Sequence, residues 1–133
     1  MSREIWVNVK VTNIADPKQS FTIRAFVDGG STDSAMPARL LAKIGIHPKG
    51  KEVYAGWGRR RLRRRWGVAA FEIQGCWGPG RVSFEPGYEV PTIGATTLEN
   101  LGLDIDMGNG GLRTFERRGP TIRIRPHRRL KPD

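Results

Sequence analysis

Apolar and polar residues alternate with a period of two along most of this chain, the pattern of strands that bury one face. Ile5, Val7, Val9 and Val11 alternate with Trp6, Asn8, Lys10 and Thr12, which predicts a strand over residues 4–13. Asn13 to Gln19, with Asp16-Pro17 inside it, reads as a turn. Residues 20–27 form a second run with Phe21, Ile23, Ala25 and Val27 on one face, so the first two strands make a hairpin. The second run leads into Asp28-Gly29-Gly30-Ser31-Thr32-Asp33-Ser34, a tight polar loop in which consecutive glycines open backbone conformations closed to other residues.

The period then changes. Residues 37–44 predict a short helix with Pro37 near its first turn and Gly45 ending it. Residues 51–74 predict a long hairpin whose first arm holds Val53, Tyr54 and Trp57. Its second arm holds Trp66, Val68, Ala70, Phe71 and Ile73. The tip of that hairpin is read as Arg59 to Arg65, six arginines in seven residues. A short strand follows at 80–85 and an extended segment at 90–94. Thr96 to Gly102 predicts a second short helix, with Thr96 as N-cap, Glu99 completing a capping box and Gly102 closing it. Leu103, Ile105 and Met107 alternate with Asp104 and Asp106 before a turn at 108–111 and a strand at 112–115. Residues 121–125 alternate once more, and Pro126 to Asp133 is basic. The reading is of an all-β domain with one or two short helices. Residues 1–120 are its body and 121–133 a basic C-terminal strand or tail.

A chain of 133 residues fits one domain. At this size much apolar surface stays uncovered, and oligomerisation is a natural supplement. The formal charge of +10, from 23 Lys and Arg against 13 Asp and Glu, favours acidic partners. The single Cys76 excludes an intramolecular disulfide, and no local group would activate it, so it reads as a structural thiol. One cysteine with His47 and His127 falls short of a zinc cluster. No metal or organic cofactor is expected. Neither a signal peptide nor an apolar membrane span is visible, and a cytoplasmic protein with no membrane role is the expectation.

The chemistry concentrates in two places. Val27-Asp28-Gly29-Gly30-Ser31 ends a strand, and Met36-Pro37 through Ile44-Gly45-Ile46 follows it as a helix. Thr92-Ile93-Gly94 and a helix closing on Leu101-Gly102-Leu103 echo that arrangement downstream. This ordered set resembles the retropepsin-like aspartic proteases, the family of retroviral-type proteases and their bacterial and archaeal relatives, over residues 5 to about 115. The resemblance implies a closed β-barrel subunit with a flap hairpin. It also implies an endopeptidase in which Asp28 and its copy in a homodimer share a proton and activate water against a polypeptide substrate. Gly29, Gly30, Ser31, Thr32 and Asp33 would form the active-site loop, with Ser31 bonding the carboxylate. Trp57, Gly58, Arg59, Arg60, Arg61 and Leu62 would be the flap, and Ile93 and Gly94 the loop of the second element.

Two features depart from that family. Gly29 replaces a Thr or Ser whose hydroxyl would tie the two loops together, at a cost of roughly 1–2 kcal/mol per subunit. The arginine run also replaces a short flap tip. It reads either as a solvated hairpin or as a site for nucleic acid or an acidic partner, helped by Trp57 and Trp66 stacking on bases. A non-enzymatic binding module using Arg59–Arg65 is therefore the second reading. Asp33 fits a groove-lining or a capping role, and Asp106 a structural one in its Gly-rich turn.

Overall fold

The computed structural model describes residues 4–56, 58 and 60–115. Nine strands and two helices follow one another in them. They are β1 Trp6–Asn13, β2 Asp16–Val27, β3 Ser34–Pro37, α1 Ala38–Lys43, β4 Gly50–Ala55, β5 Arg61–Ile73, β6 Cys76–Glu85, β7 Thr92–Ile93, α2 Ala95–Leu101, β8 Leu103–Asp106 and β9 Gly111–Thr114. The strand expected at 121–125 and the basic tail lie outside the described residues.

The first hairpin forms as the alternation requires, and Ile5, Val7, Val9 and Val11 are all buried. Its turn is tighter than expected. Asn13 Oδ1 accepts the N–H groups of Ala15 at 2.9 Å and Asp16 at 3.3 Å, so an Asx turn closes within two residues. Asp16-Pro17 thereby enters β2, where the register slips and the proline sits at the irregularity. A second difference lies at residues 74–85. Gln74 and Gly75 both take positive φ, the geometry of a two-residue hairpin turn, and β6 runs unbroken from Cys76 instead of starting at 80. The half-buried Cys76 side chain packs against the core.

Strands β1 to β7 make one mixed sheet in the order β1-β2-β7-β3-β6-β5-β4, with β1 also touching β5. The expected closed retropepsin-like barrel is not formed. A barrel wall needs a staggered ladder of useful length at every seam. Here β7 has only two residues, β3 meets β7 through one residue pair, and β1 meets β5 through three. The β2–β7 and β3–β6 pairings are parallel, and β4 hangs outside the ring of pairings. The core draws on the sheet and both helices, around Val9, Val11, Met36, Leu41, Phe71, Ile93 and Leu98. Strands β8 and β9 form a separate two-stranded sheet.

Both helices are short and end on left-handed glycines. Gly45 follows α1 with φ of 80° and Gly102 caps α2 with φ of 73°. The expected capping box on α2 is absent. Gly94 occupies the N-cap position with no side-chain bond, and α2 begins at Ala95. The reason is tertiary: the N–H groups of Ala95 and Thr96 are taken by the carbonyls of Ser31 at 2.7 Å and Thr32 at 3.2 Å. The first turn of α2 is thus satisfied from the 28–34 loop rather than from its own side chains.

Candidate functional site

Strands β2 and β7 run side by side and bring Asp28 next to Ile93, whose carbonyl accepts the Asp28 N–H at 2.9 Å. The two loops singled out from sequence are therefore one structural unit. Ser34, fully buried, ties them together: its Oγ accepts the Gly94 N–H at 3.0 Å and lies 2.8 Å from Thr97 Oγ1. Gly94 must be glycine, since a Cβ there would stand 2.5 Å from the Asp33 carbonyl oxygen. Gly29 and Gly30 are exposed, and a Cβ on Gly29 would press on Ile105 at 3.1 Å.

This unit does not carry the chemistry the family resemblance implied. Asp28 Oδ1 accepts the Gly30 N–H and Oδ2 accepts the Ser31 hydroxyl, both at 2.9 Å, so its carboxylate is engaged inside its own loop. Among the described residues no second carboxylate shares a hydrogen bond with it, and no cluster of three or more His, Cys, Asp or Glu side chains forms. With the barrel absent as well, the scaffold for a shared-proton dyad is missing. The aspartic endopeptidase reading is accordingly set aside. Asp28 and Ser31 make a loop brace.

Asp33 does something different. It accepts the Tyr54 hydroxyl at 2.8 Å and the Arg81 Nε at 3.1 Å on the same oxygen, Oδ2. Arg81 also lies 4.1 Å from the Trp66 ring centre and reaches Glu52 at 3.7 Å. Burial, followed by the bond to Asp33, holds the Tyr54 hydroxyl above the ordinary tyrosine range. Arg81 is pushed up further, chiefly by its hydrogen bonding with Tyr54. One element along, Arg64 pairs with Glu85 at 2.9 Å, and Ser83 donates to the other oxygen of Glu85 at 2.8 Å. Asp33, Arg81 and Glu85 thus fasten the inner face of the β4–β5 hairpin to the body. Sequence reading missed Tyr54, Arg81 and Glu52 as a group, because nothing local links residues 33, 54 and 81.

The arginine run is not a loop tip. β5 begins at Arg61, and Arg61 to Arg65 pair with Ala55 back to Lys51. The β5–β6 ladder begins only at Trp66, so residues 51–55 and 61–65 form a two-stranded ribbon. Alternation sorts the ribbon into two faces. Tyr54, Leu62 and Arg64 are half-buried on the inner one, with Glu52 on the same side. Lys51, Val53, Ala55, Arg61, Arg63 and Arg65 are all exposed on the outer one. No described carboxylate pairs with Lys51, Arg61, Arg63 or Arg65, whereas Arg64, Arg81 and Arg113 each have an acidic partner.

Gly58, Arg60 and Arg61 are exposed near or at the turn and Leu62 faces inward, while Trp57 and Arg59 lie outside the described residues. Trp66 is half-buried, with the Arg81 guanidinium 4.1 Å over its ring. Among the described residues no helix is long and apolar enough to cross a membrane. No protein-family model matches the chain, and no curated protein matches it either.

Proposed function

We propose that this protein is a recognition module for acidic polypeptide segments, and that the outer face of the β4–β5 ribbon is its binding surface. The observation that carries this reading is the row of exposed cations with no carboxylate among them. Lys51 and Arg65 are direct cross-strand partners, and like charges placed so destabilise a sheet. This one pair costs up to about 1 kcal/mol in water at close range. An acidic ligand removes that repulsion.

Polypeptide is favoured over nucleic acid by spacing and by what the face lacks. Arg61, Arg63 and Arg65 recur every second residue, about 6.8 Å apart, which is also the repeat of same-face side chains on any extended peptide. The guanidinium fork accepts a carboxylate through two parallel bonds. The described outer face carries no aromatic ring for bases to stack on.

The test is fluorescence anisotropy of the full chain with the labelled peptide Glu-Thr-Val-Thr-Glu-Thr-Val-Thr-Glu, whose acidic and apolar residues all share one face, at low and moderate salt. Binding is expected to weaken with salt, and the triple variant Arg61→Ser, Arg63→Ser, Arg65→Ser to weaken it about a hundredfold, near 1 kcal/mol per charged contact. Unchanged affinity in the triple variant sinks the proposal. An oligonucleotide that outcompetes the peptide replaces it with a nucleic-acid reading.

A further inference from the structure

Strand β4 ends the sheet order, and its outer edge has no partner among the described residues. An edge of unpaired N–H and C=O groups is a template for another strand. Resting on the acidic-peptide reading, we infer that the peptide docks by strand addition to β4, with carboxylates at alternate positions on the outer face.

The backbone fixes which groups are offered. Gly56 donates its N–H to the Arg60 carbonyl at 2.9 Å, which makes that pair the hydrogen-bonded kind. Pairing alternates from there along the ladder, so Lys51, Val53 and Ala55 turn their N–H and C=O groups to the open edge. Their side chains lie on the cationic face, beside the same edge.

The side chains select the occupant. An added strand sits about 4.8 Å from β4 and about 9.6 Å from β5. Between the added strand and the arginines stand only Val53, opposite Arg63, and Ala55, opposite Arg61. These small residues leave room for both guanidinium groups to lie across β4 toward carboxylates on the newcomer. Val53 is 56% exposed and gives an apolar contact at the centre. The fitting segment is therefore an extended strand with an apolar residue facing Val53 and acidic residues two positions to either side. The same charges repel a second copy of β4, because its Lys51 would meet cations.

The experiment uses wild-type protein and the same Glu-Thr-Val-Thr-Glu-Thr-Val-Thr-Glu peptide, made with backbone N-methyl groups on its Thr residues or on its Glu and Val residues. Strand addition predicts that one set loses affinity about tenfold or more while the other stays near the parent, since only alternate N–H groups face β4. A Val53→Pro variant, which removes an N–H from the open edge, should lose affinity, and Val53→Thr should keep it. If both N-methyl sets match the parent, strand addition is overturned while the cationic-face reading stands. If the parent peptide fails to bind, or binds the triple arginine variant equally well, the underlying reading falls with it.

Discussion

Tyr54 donates its hydroxyl hydrogen bond to Asp33 Oδ2 at 2.8 Å, joining strand β4 to the loop that follows β2. The bond fixes the inner face of the ribbon against the body, and Arg81 shares the same oxygen. Tyr54→Phe is expected to cost about 1.5–3 kcal/mol, the range for a hydrogen bond to a charged acceptor. Urea unfolding followed by tryptophan fluorescence measures it. A loss below a few tenths would show that Arg81 alone holds Asp33.

The same tyrosine gives a pH prediction. Its folded-state pKa is raised, so the neutral hydroxyl is the form the fold favours. The stabilisation is complete below the unfolded value of about 10 and is lost as pH rises through the higher folded value. Ultraviolet titration of wild type against Tyr54→Phe should show one phenol ionising late. Asp33→Asn should bring that ionisation earlier.

Ser34 and Thr97 form a buried hydroxyl pair that also receives the Gly94 N–H. Ser34→Ala leaves that N–H without its acceptor and is expected to cost about 2–3 kcal/mol. Adding Thr97→Val should cost less in the Ser34→Ala background than alone, because the shared bond is already gone. Additive losses in a double-mutant cycle would refute the coupling.

Gly94→Ala and Gly80→Ala test close backbone approach rather than hydrogen bonding. A Cβ at 94 meets the Asp33 backbone at 2.5 Å, and one at 80 meets Thr97 Oγ1 at 2.5 Å. Backbone cannot step aside as a hydroxyl can. Gly94→Ala should therefore lose about 3 kcal/mol or more and Gly80→Ala less. The reverse order in thermal melts would contradict the packing argument.

Asp106 braces its Gly-rich turn by accepting the N–H groups of Gly108 and Asn109 and the Asn109 amide. Hydrogen bonds from Asn109, backbone first, hold its carboxyl below the ordinary aspartate range. Its contribution is present above the unfolded pKa and disappears as pH falls through the lower folded one. Carboxyl NMR should find Asp106 titrating late on acidification. Asn109→Ala should move it back toward the usual value.

Alternation alone determined that Ile5, Val7, Val9 and Val11 face inward and that residues 51–74 double back, because a half-buried strand writes its own period into the sequence. Gly45 and Gly102 marked the helix ends for an equally local reason, the left-handed backbone that glycine takes without strain. Tertiary structure decided the rest. Whether seven strands close into a barrel depends on seam lengths, and β7 has only two residues to give. What Asp28 bonds depends on its loop, whose Gly30 N–H and Ser31 hydroxyl engage both of its oxygens. The arginine run was visible from composition, but its division into a braced Arg64 and an outer row with no described carboxylate partner came from the register of β4 on β5. Register places residues that sequence keeps apart, such as Asp33, Tyr54 and Arg81, and no short-range pattern encodes that meeting.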